Sequence, residues 1–265
     1  MAVTIKSKEE IETLREGGRR LAGILQKVIE AAKPGVSAWK LDQLAEELIL
    51  SSGGEPAFKG HRDKDTQKPY PHTLCISIND EVVHTIFNKS TILKEGDAVG
   101  LDIGMKWPAS VKTWAGNGGL FTDHAITIGI GKISSEAGRL IRTTKEALEV
   151  GIAAVRPGAH VGDVSHAIQQ HLENNKLGIV KNLAGHGVGY EVHEEPLIPN
   201  YGKPGTGPEL KEGMVVALEP ITTLGSPEVA LQPDGWTFKT KDGSLAAHFE
   251  HTIVVTESGA EILTE

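Results

Sequence analysis

Three carboxylates stand inside stretches that otherwise read as buried β-strands: Asp102 in VGLDIG, Glu219 in VVALEPI and Glu250 in HFEHTIVV. A charge in a sheet interior costs on the order of several kcal/mol unless something neutralises it. No Lys or Arg alternates with these acids on their strands, so the economical compensation is cations taken from outside. Asp123, just before AITIGI, and His186, in the Gly-rich turn AGHGVG, complete a set of four carboxylates and one imidazole. A charge of about −4 matches two divalent cations, and oxygen-rich donors with one His suit Mn, Fe, Co or Zn. Taken singly, each acid reads more readily as a strand-end residue facing water. The collection is what argues for a metal centre.

Four helical stretches surround the strands. Residues 7–33 begin with Ser7 and Glu10 at capping-box spacing and end at Lys33-Pro34-Gly35; a second helix follows at about 37–51. Residues 135–155 end in the same way at Arg156-Pro157-Gly158 and lead into 161–174. Pro34 and Pro157 are 123 positions apart (157 − 34), and that offset lays Leu41 on Val164, Ala45 on Ile168 and Ile49 on Leu172. The match is a weak internal duplication, with two independent helical hairpins as the alternative. With strand-like runs at 73–78, 81–86, 98–104, 124–130, 214–220 and 248–256, each half is a helix pair plus strands, which predicts an α+β fold. The chain is expected to be a single domain over 1–265, with halves at roughly 7–130 and 131–265. The segments 59–71 and 105–122 read as long loops.

Composition narrows the function classes. A net charge of −8 provides no clustered Lys and Arg for a nucleic-acid surface. The single cysteine, Cys75, cannot form an internal disulfide, and no run is apolar enough for a secretory signal or a membrane span, so a cytoplasmic protein is expected.

The segments CISIND (75–80) with His84, GLDIG (100–104), TDHAIT (122–127), AGHGVG (184–189), VHEEP (192–196), ALEP (217–220) and DGWTFKTKDGSLAAHFEHTIVVT (234–256) resemble type I methionine aminopeptidases, in that family's order and over essentially the whole chain. The resemblance implies the pita-bread fold, two related halves with a dinuclear centre between them. It also implies an activity, removal of the initiator methionine from nascent proteins whose second residue is small. Its ligands fall on Asp102, Asp123, His186, Glu219 and Glu250. Asp123 and Glu250 would bridge the two cations, Asp102 would complete one, and His186 and Glu219 the other. His84 and His193 match two non-ligand histidines that contact the scissile amide, His193 stabilising the oxyanion, and Glu219 doubles as proton shuttle. Tyr70, Cys75 and Trp236 match the methionine pocket. The implied partner is the N-terminal peptide of a nascent protein. A transient ribosome contact is left open, no nucleic acid or membrane is expected, and the chain is expected to be a monomer.

Departures from the family pattern set further expectations. Val192 stands where an aromatic residue usually precedes the HEEP histidine, which would make one pocket wall smaller. The interval from Asp102 to Asp123, 21 positions (123 − 102), is about ten longer than usual, so ligand geometry survives only if that loop bulges outward. A second insertion lies in 60–71, and His61, which could replace a pocket histidine there, is left out of the site. The rival readings are an X-Pro aminopeptidase or prolidase of the same fold and a metal-free peptide-binding module. The first would carry a domain ahead of the helix that begins near residue 7, and the second would lose ligands. Type II aminopeptidases carry a large insertion late in the chain, for which the 31 positions (250 − 219) between the last two acids leave no room.

Overall fold

A computed structural model of the protein describes residues 3–62, 68–109 and 118–265. The first half runs α1 (Lys8–Ala31), α2 (Ala38–Ser51), β1 (Glu55–Pro56), β2 (Leu74–Ile78), β3 (Glu81–Val83), β4 (Ala98–Trp107) and β5 (Leu120–Gly129). The second continues with α3 (Ser135–Ala154), α4 (Val161–Asn174), β6 (Gly178–Ile179), β7 (Ala184–Gly187), β8 (Glu194–Pro199), β9 (Val215–Leu218) and β10 (Ile221–Thr223). It closes with β11 (Val229–Leu231), β12 (Phe238–Thr240), β13 (Ala246–His248), β14 (Glu250–Thr256) and β15 (Gly259–Ile262). Among the described residues no helix is long and apolar enough to cross a membrane.

The helices begin where capping chemistry satisfies their first amides. The Ser7, Ser37 and Ser134 hydroxyls accept from the amides of Glu10, Lys40 and Ala137. Both helix pairs turn at a Pro-Gly step, with Gly35 at φ 88° and Gly158 at φ 83°, conformations that favour glycine. A nine-stranded antiparallel sheet has the order β1-β4-β5-β14-β9-β7-β8, with β2 also on β4 and β15 on β14. Helices α1 and α2 bury Leu21, Leu25, Leu41 and Ile49 against Leu101 and Ile103 of β4. Helices α3 and α4 bury Leu140, Ala147 and Ile168 against Val216, Ile253 and Val255 of β9 and β14. Each half thus has its own core, and the sheet's other face is free for a site.

The halves also repeat a frame finer than their helices. The tetrapeptide Leu-Lys-Glu-Gly occurs at 93–96 and again at 210–213. In the first copy the amides of Gly35 and Gly96 donate to Leu93 and Ile130 carbonyls; in the second those of Gly158 and Gly213 donate to Leu210 and Val255. Continuing along the chain, Asp102 corresponds to Glu219. The pairs Glu55↔Lys106 and Pro56↔Met105 likewise recur as Gly178↔Thr223 and Ile179↔Thr222.

Three strand expectations need correction. The run EVVHTI stops at Val83, because His84 takes φ 55° and turns the chain. The run HFEHTIVVT breaks at Phe249: β13 ends at His248 on β10, and β14 starts at Glu250 on β5. The segment 105–122 is not all loop, since β4 and β5 stay paired as far as Trp107↔Leu120. The extra residues therefore lengthen a hairpin leading away from Asp102, with 110–117 outside the described residues. Of the 60–71 insertion, 63–67 also lie outside.

Candidate metal centre and substrate cavity

Alternation along the strands aims the acids. Leu101, Ile103 and Met105 of β4 enter the core under α1 and α2, so Asp102 must face the other way. Val216 and Leu218 of β9 and Ile253 and Val255 of β14 do the same in the second half, which turns Glu219 and Glu250 to that same free face. Asp102 lies opposite Ala125 and Asp123 opposite Gly104, so the two carboxylates are diagonal neighbours. Strand β14 then places Glu250 opposite Ala125 and His251 opposite Leu218, between Asp123 and Glu219. His186 is squeezed in from β7. A Cβ on Gly185 would lie 2.4 Å from the Ala217 carbonyl oxygen and one on Gly187 2.3 Å from that of Glu195, so only glycine lets β7 approach on both sides.

The seam between β5 and β14 is stitched by threonines. Thr252 Oγ1 accepts from the Asp123 amide and donates to its carbonyl, both at 2.9 Å. Thr127 does the same for His248 at 2.8 Å. Behind them, His124 and His251 stack at 4.6 Å, and His124 Nδ1 meets the Glu250 carbonyl at 2.6 Å.

All ten residues singled out in the sequence line one cavity of about 280 Å³. At one end are Asp102, Asp123, His186, Glu219 and Glu250; at the other, Tyr70, Cys75 and Trp236, with His84 and His193 between. Donor atoms of Asp123, His186 and Glu250 lie within 4.8 Å of one another. His186 Nε2 is 3.5 Å from Glu219 Oε1 and 4.0 Å from Glu250 Oε1.

The electrostatics of this end are unfavourable as they stand. No Lys or Arg among the described residues lines the cavity. Burial first, and then repulsion from neighbouring carboxylates, pushes Asp123 and Glu250 well above the usual carboxylate range. Burial pushes Asp102 up to about 6 against the attraction of His248. Asp102 Oδ1 and Glu250 Oε1 are buried with no hydrogen-bond partner. Orphaned acceptors of this kind, gathered beside one imidazole, fit a divalent cation.

The other end is apolar and rigid. The Tyr70 hydroxyl donates to the Thr85 carbonyl at 3.0 Å, and Trp236 Nε1 to that of Lys68 at 3.1 Å. Cys75 Sγ accepts from the His84 amide at 3.1 Å, and burial pushes its thiol up to about 12, so it is a wall rather than a nucleophile. Burial, with His186, His61 and His84 nearby, drives His193 down to about 2, which keeps the ring neutral. Its neighbour Glu194 pins the loop: that buried carboxylate takes Lys6 Nζ at 2.8 Å and the Thr4 hydroxyl at 2.6 Å.

Sequence reading missed part of the lining. His61, set aside there, lines the cavity with its ring edge-on to His193 at 5.7 Å. His248 and Phe58 line it as well. Val192, expected as a pocket wall, is buried but does not line the cavity; no smaller wall arises there.

The family model described as metallopeptidase family M24 matches residues 12–257. A methionine aminopeptidase of Aquifex aeolicus is 44% identical, with 100% of both chains covered. The crystal structure of methionine aminopeptidase from Thermotoga maritima superposes with a TM-score of 0.92 at 40% identity, covering 100% of each chain. A prolidase from Pyrococcus horikoshii shares the fold alone, with a TM-score of 0.73 at 22% identity over 98% of this chain and 63% of the prolidase. The strands, the acids they turn to one face and these likenesses agree, and the chain belongs to metallopeptidase family M24, among its methionine aminopeptidases.

Proposed function

We propose that this cavity removes the N-terminal methionine from nascent proteins whose second residue is small, using two divalent cations drawn from Mn, Fe, Co and Zn. The observation that carries the reading is the division of one cavity into a buried acid-and-imidazole end with orphaned oxygens and an apolar end closed by Tyr70, Cys75 and Trp236. Asp102, Asp123, His186, Glu219 and Glu250 would hold the cations. When bound, the cations supply Lewis acidity and a nucleophile active at neutral pH.

The chain's own groups do the rest. The apolar end takes the methionine side chain, and its fixed walls restrict what enters. Neutral His193 donates to the oxygen on which charge develops as the amide is attacked, and such a donor is worth about 10²–10³-fold in rate. His84, turned toward the cavity by its left-handed backbone, engages the amide nitrogen. Glu219 passes a proton to the leaving amine. A methionine side chain that fills the apolar end leaves room for only a small second residue, which favours Gly, Ala or Ser. A cytosolic setting suits such a substrate. The proline-specific reading is not favoured, because the likeness to prolidase extends only to the fold.

A panel of Met-Xaa-Ser and Xaa-Ala-Ser peptides tests the reading. Chelated protein should be inactive and regain kcat/KM on Met-Ala-Ser with Mn or Co. Cleavage before proline with no preference for methionine would overturn it.

A further inference from the structure

His248 lines the cavity with the five expected donors, yet the donor cluster leaves it without a role. Its placement is built in. Thr127 grips its amide and carbonyl across the seam just as Thr252 grips those of Asp123. The register repeats as well. Asp123 faces Gly104 two positions beyond Asp102, and His248 faces Ile221 two positions beyond Glu219. His248 is therefore the second half's counterpart of Asp123, an imidazole in place of a carboxylate, aimed at the same space. The residue is 4% exposed, and its Nε2 stands 3.4 Å from Glu219 Oε2 and has no hydrogen-bond partner. The other oxygen of Glu219, Oε1, faces His186, and its backbone carbonyl is held by Asn200 Nδ2 at 2.8 Å.

We propose that His248 is a positioning residue for Glu219, its Nε2 holding Oε2 so that Oε1 alone is presented, beside His186, to a cation. The proposal rests on the reading of Glu219 as a ligand. A carboxylate with two free oxygens can offer a cation one or both, and a donor fixed on one of them settles the choice. Groups of this kind change metal affinity or activity by about 10–100-fold when lost. An amide of similar reach can make the same donation, so Gln should substitute where Ala cannot.

The test uses wild type, His248→Gln and His248→Ala, each stripped of metal and titrated with Co(II) by calorimetry. Visible spectra and kcat and KM for Met-Ala-Ser are recorded alongside. Wild-type protein that takes up no Co(II) would remove the metal centre itself, before any variant is compared. Given uptake, His248→Ala should bind Co(II) about 10–100-fold more weakly, with an altered spectrum and a fall in kcat larger than any change in KM. His248→Gln should recover the wild-type spectrum and most of the affinity. Two results overturn the proposal. Loss of the same Co(II) site in both variants would make His248 a ligand, and wild-type behaviour of His248→Ala would leave it with no function. Should the Ala variant fail to fold, His248→Asn, too short to reach Oε2, takes its place.

Discussion

The half of the chain that ends near residue 130 and the half that follows it use one frame and fill it differently. Both turn at Pro-Gly after the first helix, both repeat Leu-Lys-Glu-Gly, and nine positions into that repeat both aim an acid at the shared face, Asp102 within β4 in one and Glu219 just after β9 in the other. Around that frame the side chains diverge. The first half contributes most of the apolar end, Phe58, Tyr70 and Cys75 beside Trp236 of the second, while the imidazoles that approach the carboxylates, His186 and His248, come from the second alone. We read the pair as an internal duplication whose copies kept the acids and divided the remaining work. Neither half can balance the charge alone, because the unpartnered oxygens of Asp102 and Glu250 come from different copies.

Matched substitutions put this comparison at risk. The largest effect is expected where the halves meet: Glu250→Ala should lose metal and at least about 10⁴-fold in kcat/KM, as residues acting as a unit do. Metal analysis beside kinetics checks it, and an active, metal-loaded Glu250→Ala protein would detach the seam from the chemistry. His193→Ala, from the second half, should retain its metal and lose about 10²–10³-fold in kcat. Tyr70→Ala, from the first half, should instead erode the preference for methionine over leucine by about 1–3 kcal/mol, read from ratios of kcat/KM. If the two variants produced the same pattern, the division of labour would be wrong.

A smaller effect concerns the metal-free protein. Asp102 titrates at about 6 in the fold against 3.8 unfolded, so the folded state holds that proton more tightly. Its contribution to stability is therefore present below about pH 4, falls as pH rises toward 6 and stays lost above it. At about 1.4 kcal/mol per unit, the fall is up to about 3 kcal/mol. Urea melts of chelated protein across this range should show it, and Asp102→Asn should remove this share while that of Asp123 and Glu250 remains. The smallest effect tests the frame itself. Gly35 and Gly158 have nothing within 4 Å of a would-be Cβ, so Gly35→Ala and Gly158→Ala should each cost about 1 kcal/mol through φ alone. Clearly unequal costs in thermal melts would argue that the turns are not equivalent.

The helices and the acids were legible in the sequence, and the frame was not. Capping serines and Pro-Gly stops mark α1 and α3 within a few residues, and acids in apolar strand runs are rare enough to stand out. Only the helix-pair part of the repeat shows in the sequence, because its pieces have drifted out of one period. The helix pairs are 123 positions apart, Leu-Lys-Glu-Gly 117 (210 − 93) and the seam threonines 125 (252 − 127), so one offset aligns only one piece. His61 and His248 carry no local signal, since a lone histidine near Gly or Ala is common in turns and cores. Only pairing across the β5–β14 seam brings His248 to the carboxylates. Val192 misled because it adjoins His193, although a neighbour in sequence need not share its neighbour's direction.

Strand β14 lies mid-sheet although it is made after both of its neighbours, β5 and β9. Its partner β5 is complete some 121 residues earlier (250 − 129), which at about 5–20 residues per second is roughly 6–24 seconds of translation. Until then the edges that β5 and β9 will share with β14 are open to other chains. Glu250 is the first residue of the strand that covers them, so one event seals both edges and completes the donor set. A chain released before β14 is thus left adhesive and without hydrolytic activity, and cutting must wait for that strand.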